Sequence, residues 1–154
     1  MAQIKYDTTL RITDTGDAVL PITSTKTVTY TSKTDKEYAI AAAATQAIWI
    51  NDAGGTEDIT ANDDFDFLYI VSNKDDVLLE LVGDITADGA DDVNIVELNT
   101  DVPFTLGSDD TINGYSTADG LGSYSAGAND NVIERIRVLN NNASTATVRV
   151  IMVT

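Results

Sequence analysis

Cysteine and histidine are absent from this chain, proline occurs twice and tryptophan once. Without cysteine there are no disulfides, thiol nucleophiles, iron–sulfur ligands or structural zinc sites of the usual kind. Without histidine, the commonest general base and the commonest transition-metal ligand are both gone. Positive charge is scarce: 9 Lys and Arg stand against 25 Asp and Glu, a net charge of −16 over 154 residues. Nucleic acid and anionic membranes repel such a chain, so neither is an expected partner. Long apolar runs are lacking too. The longest weakly polar stretch, residues 38–50, is 13 residues long and contains Thr45 and Gln46. Spanning a bilayer takes about 20 apolar residues. The N-terminal MAQIKYDTTLRITD has no basic region leading into an apolar run, so no secretory signal is expected. The sequon at Asn142, Ala143 and Ser144 carries no weight without one.

What is present is β-forming. Residues 1–35 hold ten threonines, and threonine suits a pleated, half-exposed strand. Residues 25–31 alternate, with Lys26, Val28 and Tyr30 on one face and threonines on the other, so a strand is expected there. Residues 12–16 and 18–23 also read as extended, with Pro21 marking an edge or a strand start. Residues 38–50 are ambiguous. The alanines at 41–44 favour helix, whereas the following residues favour strand. We read 47–50 as strand, with a helical turn possible before it.

Residues 66–72 and 77–82 are apolar on both faces, as central strands of a sandwich are. The short turn Asn73-Lys74-Asp75-Asp76 between them predicts a hairpin. Short strands are expected at 93–98 and 102–106, then a glycine-bearing excursion over 107–131. Strands at 132–139 and 145–153 close the chain, and the polar turn between them predicts a second hairpin. The expected fold is therefore all-β: an antiparallel β-sandwich, jelly-roll-like, of eight to ten short strands with an extended N-terminal arm. We divide it into an arm with first strands, 1–35, and a sandwich domain, 36–154. Acidity is uneven. Residues 1–74 hold 6 basic and 11 acidic side chains, and 75–154 hold 3 and 14.

Chemical constellations are few. Asp84, Thr86, Asp88, Gly89 and Asp92 follow part of a calcium-loop spacing, but Ile95 stands where the bidentate Glu belongs. Asp84, Asp88 and Asp92 are thus weak metal candidates, as is the cluster Asp63, Asp64 and Asp66, and a solvated acidic turn is the plainer reading of both. No cofactor is expected. Residues 122–127, Gly-Ser-Tyr-Ser-Ala-Gly, miss the nucleophile-elbow pattern and have no histidine to serve them. No phosphate-binding glycine loop occurs. An enzyme is not expected. Trp49, between Ile48 and Ile50, reads as core rather than as a sugar platform. Tyr115 and Tyr124 in the excursion are candidates for contact with a partner. So are Arg135, Arg137 and Arg149, whose guanidinium groups would share one sheet face if the last two strands paired. In the arm, Ile4, Tyr6, Leu10 and Ile12 have little to pack on within their own domain. Such a segment gains stability by adding a strand to another protein's sheet edge.

The run FLYIVSNKDDVLLELVG, the acidic and glycine-rich middle, and the closing IERIRVLNNNASTATVRVIMVT resemble small β-sandwich virion proteins of tailed bacteriophages, in particular head decoration (cement) proteins. The features that carry the likeness map to residues 67–83 and 144–153. The resemblance implies a jelly-roll-like sandwich that assembles as a homotrimer at capsid symmetry points. It implies a protein made in the host cytoplasm and carried in the virion, stabilising the head without catalysis. The major capsid protein would be its partner, and the N-terminal arm would reach a capsid protein or a sister subunit. A phage tail or head-fibre module, or a calcium- or carbohydrate-dependent binding module, is the alternative.

Overall fold

Period-two alternation and β-branched composition favour strands, and every regular element among the described residues is a strand. The computed structural model describes residues 2–10, 22–50, 57–60, 65–83, 92–107 and 133–154. Eleven strands lie among them. These are β1 Ala2–Leu10, β2 Ile22–Tyr30, β3 Lys33–Ile40, β4 Thr45–Ile50, β5 Ile59–Thr60, β6 Phe67–Ser72, β7 Val77–Gly83, β8 Asp92–Leu98, β9 Phe104–Gly107, β10 Ile133–Asn140 and β11 Ala146–Val153. Among the described residues all strand pairings are antiparallel except that of β5 with β4, and an isolated parallel bridge joins Ser72 to Thr100.

Two sheets form the sandwich, one ordered β3-β11-β6-β9 and the other β5-β4-β10-β7-β8. Their inner faces make one buried cluster. Leu68, Ile70, Val148 and Val150 from the first sheet meet Leu79, Ile136 and Val138 from the second. In β11 the alternation is direct: Ala146, Val148, Val150 and Met152 point inward. A bulge on β4 pairs Trp49 with Ile136 and Ala47 with Arg137, and turns both Ile48 and Trp49 into the core. Trp49 is buried as expected and meets Phe65 edge-on, with ring centroids 5.3 Å apart.

The all-β sandwich matches the expectation, but three local readings do not. Residues 66–72 and 77–82 do not form a hairpin: β6 and β7 lie in different sheets. The C-terminal pair is not a hairpin either, because β10 and β11 also belong to different sheets. The alanines at 41–44 form a turn instead of a helical segment, with a 3.2 Å bond from the Ala44 N–H to the Ala41 carbonyl, and link β3 to β4 across the sandwich. Short polar turns here carry the chain from sheet to sheet. Left-handed residues help two of these corners change direction, Ala43 at φ 53° and Asp76 at φ 53°. The expected boundary between residues 35 and 36 cuts through β3, the first strand of the sandwich.

Two of these corners share one buried side chain, Asn140, and Asn142 ties in the third. Asn140 Nδ2 donates to the carbonyls of Ile40 (2.9 Å), Ala41 (3.0 Å) and Ser144 (2.9 Å). Its Oδ1 accepts from the Asn142 N–H at 3.0 Å, and Asn142 Nδ2 reaches the Asp75 carbonyl at 2.7 Å. Asparagine suits the position because it both donates and accepts from one planar group. At the opposite end the C-terminus is tied in: the Thr154 carbonyl accepts from the N–H groups of Thr31 (2.8 Å) and Ser32 (3.0 Å). That clamp fixes the root of the β1–β2 hairpin to the sandwich.

Candidate functional site: the N-terminal hairpin and its platform

Along β2, Val28 and Tyr30 share a face, and only that face is covered. The threonine face of the hairpin is exposed. Val28, with Ile4, Tyr6 and Tyr30 beside it, packs on Phe67, Tyr69 and Val153, which point outward from the four-stranded sheet. Tyr6 and Phe67 tilt against each other at 52°, with ring centroids 5.8 Å apart. The Thr105 hydroxyl donates to the Tyr6 hydroxyl at 3.4 Å. Hydrogen bonds from Thr105 and then Thr8 hold the Tyr6 phenol below its ordinary pKa, against a smaller opposing effect of burial.

The expectation that Ile4 and Tyr6 find little to pack on in their own domain is therefore overturned. Sequence reading missed the platform because Phe67, Tyr69 and Val153 sit on the outer face of strands that also feed the core. The usable signal was that β6 and the end of β11 stay apolar on both faces, which one sheet-to-sheet interface cannot consume.

The cover stops half-way along the hairpin. Asp7, Thr8, Thr9 and every residue from Ile22 to Thr27 are exposed, consecutive positions included, so both faces of the distal half are open. Ile22 is 62% exposed. Leu10 pairs with Ile22 at that distal end, and Ile12 lies outside the described residues.

The three arginines do not share a face. Arg135 and Arg137 stand on β10 in the five-stranded sheet, and Arg149 stands on β11 in the other. Each meets a carboxylate of its own chain. Arg137 Nε donates to Glu80 Oε2 at 2.9 Å. Arg149 forms a fork on Asp35, with Nε to Oδ1 at 3.0 Å and Nη2 to Oδ2 at 3.1 Å. Arg135 Nε lies 2.9 Å from Glu57 Oε1, an ion pair by distance whose N–H points away from the line of a good hydrogen bond. The Arg149 fork, with Lys33 adding to it, holds the Asp35 carboxyl below its usual range.

One further polar group closes a side of the sandwich. Lys36 Nζ reaches both oxygens of Asp58 at 2.7 and 2.6 Å, and the Tyr38 hydroxyl donates to Asp58 Oδ2 at 2.7 Å. The bonds from Lys36 and then Tyr38 pull the Asp58 pKa down. Burial and then the Asp58 contact push that of Tyr38 up. The pairing joins edge strand β3 of one sheet to the segment leading into β5 of the other.

Among the described residues no three acidic side chains gather as a metal site would require. Asp92 opens β8, and Asp84 and Asp88 lie outside the described residues, as do Tyr115 and Tyr124. No described helix is long and apolar enough to cross a membrane. Comparison with known proteins finds no matching family model, no matching curated protein and no matching solved structure.

Proposed function

We propose that this chain is a structural virion protein, a capsid decoration protein that binds across neighbouring capsid subunits and stabilises the head without catalysis. The observation that carries this reading is the half-covered hairpin. Its proximal part is fixed to the sandwich, and its distal part has two exposed faces and, among the described residues, no third strand on either edge. A two-stranded ribbon alone is marginally stable in water, so an extension of this kind gains most by adding strands to another protein. The major capsid protein is that partner in this reading.

Strand order supports the jelly-roll part of the reading. Numbering the eight strands of the sandwich without β5 in chain order, one sheet runs 1-8-3-6 and the other 2-7-4-5. Two interleaved Greek keys of this kind are the jelly-roll arrangement used by many capsid proteins. The acidic surface fits a part that coats the outside of a particle and must not bind the genome.

The test is co-sedimentation with tailed-phage heads assembled from a major capsid protein. Removal of residues 1–20 would strip β1 and leave β2 unpaired, so the informative truncation is at residue 30. The full chain is expected to pellet with heads, and the truncated chain to stay in solution with its β-sheet circular dichroism retained. Equal binding by both, or binding to tails or fibres in place of heads, contradicts the proposal.

A further inference from the structure

A sheet edge left open invites another strand, and proteins usually blunt such edges with charge, proline, brevity or cover. Three of the four edges of this sandwich are blunted. β5 is two residues long. β9 is four residues long and follows Pro103. β3 carries Lys33, Asp35, Lys36 and Glu37, and Asp58 bridges across it. The fourth edge, β8, is seven residues long, and its only charges are the carboxylates of Asp92 and Glu97. It pairs with β7 in an unbroken register from Val77 opposite Leu98 to Gly83 opposite Asp92. It contains no lysine, arginine or proline. Among the described residues, no strand lies on its other side. On its outward face Ile95 is 58% exposed and Val93 39% exposed, two of the four large apolar side chains exposed among the described residues.

We propose that β8 pairs with β8 of a second copy, antiparallel about a two-fold axis at Ile95, joining two five-stranded sheets into one. The strand is self-complementary in that register. Ile95 falls opposite Ile95, Glu97 opposite Val93, Asn94 opposite Val96, and Asp92 opposite Leu98. No two acidic residues fall opposite each other. Shifting the axis to Asn94 would set Glu97 against Asp91, a like-charge pair that destabilises a sheet. A two-fold contact of one patch with itself is the commonest symmetry of protein assemblies. The contact uses neither the hairpin nor its platform, so it stands or falls apart from the capsid-binding reading.

Each copy carries a charge of −16, so the pair forms against general repulsion and strengthens as salt screens it. Sedimentation velocity of the full chain over a concentration series, at low and moderate salt, is the experiment. The chain is expected to pass from monomer to dimer in the micromolar range, at lower concentration when salt is raised. Ile95→Glu, which sets two carboxylates face to face on the axis, is expected to weaken association about tenfold or more. Its melting midpoint should stay close to that of the parent, because the side chain is mostly exposed. Val93→Lys places a lysine opposite Glu97 of the other copy and is expected to tighten the dimer. A chain that remains monomeric, an assembly that Ile95→Glu leaves intact, or a Val93→Lys variant that associates no better overturns the proposal.

Discussion

Among the described residues the buried apolar side chains form two main clusters, and these differ greatly in size. The cluster between the sheets contains 19 buried residues, drawn from both layers. The cluster beneath the hairpin has three, Val28, Phe67 and Val153, with partly covered tyrosines and Ile4 around them. A fully buried aliphatic or aromatic side chain contributes about 1.5–3 kcal/mol, against an ordering cost of about 1–2 kcal/mol for each backbone residue fixed. The sandwich has many such side chains for its length. The hairpin orders two nine-residue strands on three, plus the clamp at Thr154. The difference teaches that one chain holds a self-supporting body and an appendage whose order depends on what it touches.

Single substitutions break that comparison most sharply. Ile70 is fully buried between the sheets, and Ile70→Ala is expected to cost about 2–5 kcal/mol and to lower the melting of the whole body. Phe67 is equally buried but faces the hairpin, so Phe67→Ala is expected to release β1 and β2 to proteolysis while the body melts much nearer the parent. Scanning calorimetry combined with limited proteolysis separates the two outcomes. Matching losses of body stability would mean that hairpin and sandwich form one cooperative unit.

A smaller effect distinguishes the polar closure of the body from its apolar core. Asp58 has a depressed pKa in the folded chain, so its contribution is present above the unfolded carboxylate value of about 3.9. That contribution is lost as pH falls through the lower folded value. Both partners are partly exposed, so solvent screening limits the pair to about 0.2–1 kcal/mol. Asp58→Asn is therefore expected to be slightly less stable than the parent at pH 7 and to converge with it as pH falls below the ordinary carboxylate range. Urea titrations at neutral pH and below that range provide the check, and a gap that widens on acidification would contradict it.

Most of the strands were legible from the chain, because alternation is a local property, but β3 was not, since charged residues fill its first half and the alanine run after it reads as helix. Val148, Val150 and Met152 turn inward, and Lys26, Val28 and Tyr30 share a face, as the period of two requires. Which strands pair was not legible from spacing. A turn such as Asn73–Asp76 can join neighbours about 4.8 Å apart in one sheet or carry the chain about 10 Å to the facing sheet. Here it does the latter, as do residues 41–44 and 141–145. The deciding contacts are long-range: Asn140 binds the carbonyls of Ile40 and Ala41 a hundred residues away. The misplaced arginine patch follows from the same cause, since pairing β10 with β11 would have put Arg149 beside Arg137. Of the candidate site, the arm was visible as a threonine-rich extended segment. Its platform was not, because the two-sided apolarity of β6 and the end of β11 reads as burial between two sheets and does not by itself reveal a third layer.

Native-state amide hydrogen exchange on the full chain tests the division into body and appendage most directly. Amides in β10 and β11 should exchange only with global unfolding, and those of β1 and β2 far faster, through a local opening that leaves the sandwich intact. Distal positions such as Thr25 should exchange faster than Val28. Equal, globally limited protection across the hairpin and the sandwich would contradict the account.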